Sequence, residues 1–105
     1  MVVIKFMGGG MVEMASGHVV GSEKIVNKLR WSVMEEIPGS WDVKSWWNER
    51  HELYVVRFLI KTFSIAEYWT ARKIADKLGL VVQSFLVVPG DSKNVEVFFM
   101  FEVRG

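Results

Sequence analysis

The sequence predicts a single α+β domain: a mainly antiparallel sheet of five or six strands with two helices packed on one face. Two observations carry that prediction. One is a duplicated pattern, in which a helix-period stretch is followed by two strand-period stretches, first over residues 22–62 and again over 64–104. The other is size. A chain of 105 residues without cysteine suffices for one core and not for two, because a domain of this length buries roughly 65% of the surface its unfolded chain exposes, enough without disulfides or a structural metal.

Taken in order, residues 1–20 read as an N-terminal strand or hairpin. Residues 2–7 (VVIKFM) are β-formers, Gly8, Gly9 and Gly10 interrupt them, and 11–15 alternate weakly as a short second strand. The glycine run is a hairpin tip and not a phosphate cradle, which would lead from a strand directly into a helix. Ser22 then caps a first helix whose Ile25, Leu29, Val33 and Ile37 share one face, and Pro38-Gly39 ends it. Ser64 with Glu67 forms a capping box for a second helix, in which Ile65, Tyr68, Ala71, Ile74, Ala75 and Leu78 make the apolar stripe and Gly79 the stop.

Each helix precedes a hairpin. Residues 41–47 and 53–63 are joined by Asn48-Glu49-Arg50-His51-Glu52, and residues 80–88 and 95–103 by a run of turn formers from Pro89 to Asn94. Alternation sends Tyr54, Val56, Phe58, Ile60, Val95, Val97, Phe99, Phe101 and Val103 towards the helices. It leaves Leu53, Val55, Arg57, Leu59, Lys61, Glu96, Phe98, Met100, Glu102 and Arg104 on the opposite face. In the first strand it groups Trp41 with Trp47, and Trp46 with Lys44. If the N-terminal strand enters between the two repeats, which a pseudo-twofold should relate, the layout is ferredoxin-like or a related two-layer sandwich.

Half of the chain is apolar, with five Trp and seven Phe, and the net charge is +1. So much bulk in so small a domain implies an apolar face that meets something. The simplest occupant is a second copy, which makes Leu53, Val55, Leu59, Phe98 and Met100 the candidate interface of a homodimeric, non-enzymatic interaction module. The alternative partner is nucleic acid: Lys5, Lys44, Arg57 and Lys61 interleaved with Trp46 would offer phosphate neutralisation and base stacking on an open sheet. A small-molecule binder or an enzyme with its site at a dimer interface is a second alternative. Against nucleic acid stand the near-zero charge balance and the lack of an aromatic motif of the RNA-recognition type.

Catalytic and metal chemistry find little support. The only histidines, His18 and His51, lie in loops; Ser22 and Ser64 serve as caps, and no nucleophile elbow occurs. No catalytic residue, cofactor or metal ligand is therefore assigned. The order of one helix and two strands, twice over, resembles the core of LAGLIDADG homing endonucleases, which implies an acidic residue at each helix end holding a divalent ion. Here Ile37-Pro38 stands where that residue would precede a glycine, so Glu35, Glu36 and Asp76 are read as helix surface. Residues 70–80 resemble the opening of a helix-turn-helix, but the β-branched run after them leaves no recognition helix. With no apolar span of membrane length and no secretory leader pattern, a cytoplasmic protein is expected. Scarce Asn and Gln lean towards a thermophilic source, six Met the other way.

Overall fold

A computed structural model describes residues 20–104, in which the predicted α+β architecture takes the form of a four-stranded antiparallel sheet and two helices. The elements are α1 (Glu23–Glu36), β1 (Trp41–Asn48), β2 (Leu53–Ile60), α2 (Ile65–Lys77), β3 (Leu80–Pro89) and β4 (Val95–Val103). The strands expected over 2–7 and 11–15, and with them a fifth and sixth strand, lie outside the described residues. No helix among the described residues is long and apolar enough to cross a membrane.

Both helix starts are built as their sequences dictate. Ser22 Oγ accepts from Ile25 N–H at 3.4 Å, whereas Ser64 makes a complete capping box: its Oγ accepts from Ala66 N–H at 3.2 Å, and Glu67 Oε1 takes the Ser64 N–H at 2.6 Å. Each helix stops where Gly39 and Gly79 adopt positive φ, +84° and +71°, which a side chain would resist. The α2 stripe departs from its prediction at one end, since Ile65, in the first turn, projects into solvent.

Strand order is β1-β2-β4-β3, so the two repeats meet through direct pairing of β2 with β4. The site between them, on which the ferredoxin-like layout depended, is thereby closed. The β2–β4 register runs from Tyr54 opposite Phe101 to Ile60 opposite Val95, with Arg57 opposite Phe98 at its middle. A single core joins both repeats: Leu29, Val33 and Ile37 from the first helix region and Ala71, Ile74 and Ala75 from α2 pack on Tyr54, Val56, Phe58, Ile60, Val97, Phe99 and Phe101. Phe58, Phe99 and Phe101 are completely buried, each contributing about 1.5–3 kcal/mol relative to an exposed ring. Both helices thus cover one face of the sheet and leave the other, the outer face, without them.

Candidate interaction surface

Which side chains reach the outer face depends on two bulges. β2 and β4 alternate regularly, but the β1 register slips between Trp41 and Lys44 and the β3 register between Val82 and Ser84. An extra residue in a strand reverses alternation beyond it. The expected grouping of Trp41 with Trp47 is therefore corrected: Trp41 lies opposite Leu59 on the outer face beside Lys44 and Trp46, while Trp47 lies opposite Tyr54 and packs on it edge-to-face at 4.7 Å on the core side. On β3 the bulge sends Ser84, Leu86 and Val88 outward, opposite Met100, Phe98 and Glu96.

The middle of the outer face is an ion cluster that alternation could not reveal. Lys44 and Arg57 are direct cross-strand neighbours, an unfavourable pairing of like charges unless something neutralises them. Arg57 Nε donates to Glu96 Oε2 at 2.6 Å, and its Nη1 donates to Asp42 Oδ2 at 2.8 Å and to the Asp42 carbonyl at 3.0 Å. Asp42 sits in the β1 bulge with a left-handed φ of 52°, a conformation that Asp tolerates better than most residues. Hydrogen bonding from Arg57 holds the Asp42 carboxyl below its ordinary range, and the bonds to Asp42 and Glu96 push the Arg57 guanidinium up. The Arg57 side chain is only 16% exposed.

The residues singled out from the sequence are distributed unevenly around this cluster. Leu53, Phe98 and Met100 are half-buried on the outer face. Val55 and Leu59 are already buried within the chain: Val55, 4% exposed, stands between Trp46 and Met100 in the ladder, and the β3–β4 turn comes down on Leu59, whose Cδ2 would lie 3.1 Å from a Cβ at Gly90. Of the basic candidates, Lys5 lies outside the described residues, Lys44 is exposed on the outer face with Trp46, Arg57 is spent on two carboxylates, and Lys61 is exposed just past the end of β2. Large side chains that sequence reasoning left out of the surface, Trp41, Val81 and Leu86, are among its most exposed.

Two shallow clefts flank the face. One, of about 430 Å³, lies under Trp41, whose Nε1 donates to Asn94 Oδ1 at 3.3 Å; its one carboxylate, Glu67, is committed to the capping box. The other, of about 460 Å³, runs along the β3–β4 turn, where Asp91 Oδ1 accepts from the N–H groups of Lys93 and Asn94 at 2.8 and 3.0 Å, and these bonds lower its pKa. Neither holds an acid–base pair poised for proton transfer. The carboxylates at the helix ends are each engaged by a cation: Glu36 pairs with Lys77 at 3.0 Å and Asp76 with Arg104 at 2.7 Å. Among the described residues no group of three or more His, Cys, Asp or Glu side chains could hold a metal ion. Compared with protein-family models, with curated proteins and with solved structures, the chain matches none.

Proposed function

We propose that this chain is a non-enzymatic interaction module that self-associates through the outer face of its sheet. The observation that carries the reading is an apolar band left open across that face: Trp46 at 39% exposed on β1, Phe98 and Met100 half-buried on β4, and Leu86 at 51% on β3. A sheet with helices on one side and such a band on the other leaves an apolar surface that binding would remove from water. Arg57, at the charged centre, is compatible with that burial, because it brings its own counter-ions in Asp42 and Glu96.

Light scattering at micromolar concentration tests this. The wild type should run as an assembly, and Trp46→Glu or Phe98→Glu should halve its mass while the far-UV circular dichroism stays unchanged. A mass insensitive to both substitutions overturns the reading. Nucleic acid remains the second proposal, favoured by Lys44 and Trp46 standing exposed on one face, and weakened by the engagement of Arg57. Its test is a mobility shift with single-stranded oligonucleotides at low salt; no shift there removes it.

A further inference from the structure

We infer that the edge of β3 turned away from β4 pairs antiparallel with β3 of a second copy about a twofold axis at Leu86, joining two sheets into one. This does not rest on face-to-face association, since it uses backbone groups at the sheet margin.

The direction of those groups follows from hydrogen bonds at both ends of the β3–β4 ladder. At the turn, Gly90 N–H donates to the Asn94 carbonyl at 3.0 Å; at the other end, Arg104 N–H donates to the Gly79 carbonyl at 3.1 Å. Antiparallel bonding alternates along a strand. Counting inward from either end, and allowing one extra residue for the bulge between Val82 and Ser84, gives the same answer. Leu86 and Val88 bond to β4, and the N–H and C=O of Phe85 and Val87 point away from it. Among the described residues no strand lies on that side, because β3 is terminal in the order. The stretch is open: Phe85 is 44% exposed and Val87 37%.

The same segment defines its occupant. Unpaired backbone calls for an extended strand. Side chains here are apolar on both faces, Phe85 and Val87 on the helix side and Leu86 and Val88 on the other, so the added strand must be apolar on both faces too. β3 itself meets both conditions. An axis at Leu86 sets Phe85 of one copy opposite Val87 of the other, so the outward N–H and C=O groups of both residues find their complements. The bulge at one end and Pro89, which lacks an N–H, at the other confine the pairing to this register. From Leu80 to Pro89 the strand carries no charge, and no like charges meet within the pairing.

Amide hydrogen exchange on the full chain at high and low protein concentration tests the pairing. The Phe85 and Val87 amides should be protected at high concentration and lose at least about tenfold of that protection on dilution to monomer, while Leu86 and Val88 stay protected throughout. Val87→Pro deletes an outward N–H without touching a bond to β4 and should halve the mass of the assembly; Val87→Lys, which keeps the N–H but sets an ammonium against Phe85 of the other copy, should do the same. The inference is overturned if Phe85 and Val87 exchange freely at every concentration, or are protected independently of concentration, which would mean that another segment of the same chain fills the edge. A mass lowered by Trp46→Glu but by neither Val87 variant overturns the edge pairing and keeps the face; the reverse keeps the edge and removes the face.

Discussion

Among the described residues β1 and β3 are the two margins of the sheet, each the first strand of its repeat and each broken by one bulge, yet they are finished differently. In β1 the bulge carries Asp42, bound to Arg57, and the strand continues through Lys44 to Ser45, whose Oγ donates to the Val26 carbonyl of α1 at 2.6 Å. Beyond it Trp47 packs on Tyr54, and Gly21 lies so close that a Cβ there would sit 2.3 Å from the Trp47 ring. The β3 bulge holds an uncharged Gln83, and the strand after it is held by Phe85, whose ring meets Phe63, Tyr68 and Phe99 at 5.4–5.7 Å while nearly half of it stays in solvent. Equal topology and equal bulging thus give one margin that is charged and pinned and another that is neutral and open. What guards a strand edge is charge and cover; a bulge alone only limits how much of it is usable.

The largest expected effect comes from removing the anchor of each margin. Trp47→Ala should cost about 3 kcal/mol, because a half-buried indole in an edge-to-face pair is lost beside a helix entry. Phe85→Ala should cost about 1.5 kcal/mol, since much of its ring is already wet. Urea unfolding, at a concentration low enough to keep the chain monomeric, measures both. Equal costs would break the distinction between a pinned and an open margin.

Gly21→Ala sharpens it next. The added methyl would meet Trp47 at Cγ and Cδ2, the ring's root and not a flexible end, so the chain entering α1 or the indole has to move. Overpacking of this kind costs about 2 kcal/mol and should lower the urea midpoint at unchanged slope. Gly79→Ala, strained only by its left-handed φ of 71° and with open space around it, should cost about 1 kcal/mol.

These contrasts mark how far the sequence could be read. Helix and strand order, both caps, the two glycine stops and the core faces of β2 and β4 were legible, because the apolar periods are regular there and turn chemistry is local. The edge strands were less so. A bulge inserts a residue without a composition signal, and alternation counted across Trp41 to Trp47 therefore put Trp41 on the wrong side. The Asp42–Arg57–Glu96 cluster was hidden for the same reason: its members lie on three strands, and their meeting depends on the β2–β4 register and the β1 slip. Positive φ at Asp42 would have been a hint, but an Asp in a strand offers no sign of it beforehand. The burial of Val55 and Leu59 also escaped, since alternation assigns a face and says nothing of what neighbouring side chains or a turn will cover.

The helix caps should separate the two repeats by a smaller margin. Ser64→Ala removes the hydroxyl of a reciprocal box and should cost about 1 kcal/mol, whereas Ser22→Ala loses one long contact at 3.4 Å and should cost about 0.5 kcal/mol or less. The Ser22 N–H would keep its bond to the Tyr54 hydroxyl at 2.7 Å. Thermal unfolding of both variants at one pH checks the order; a larger loss for Ser22 would mean that the first helix depends on its cap more than on its packing.

Smallest, and read as a slope, is the acid dependence contributed by the two carboxylates that flank the margins. Asp42 in the β1 bulge and Asp91 after β3 both have folded pKa values below the ordinary 3.8. A carboxylate so depressed binds its proton less readily in the folded chain, so its contribution is fully present above the unfolded value and is lost as pH falls through the folded one. Asp42→Asn and Asp91→Asn should therefore each flatten the decline of stability below about pH 4. Their salt responses should differ. Asp42 is held chiefly by the Arg57 cation, whereas Asp91 is held first by the Lys93 backbone N–H and then by Asn94, all neutral donors. At about 1 M salt, where the screening length falls to about 3 Å, the Asp42 contribution should shrink while that of Asp91 persists. Equal responses to salt would mean that the β1 margin is held by its hydrogen-bond geometry, and that its charge adds nothing to what a neutral bulge could do.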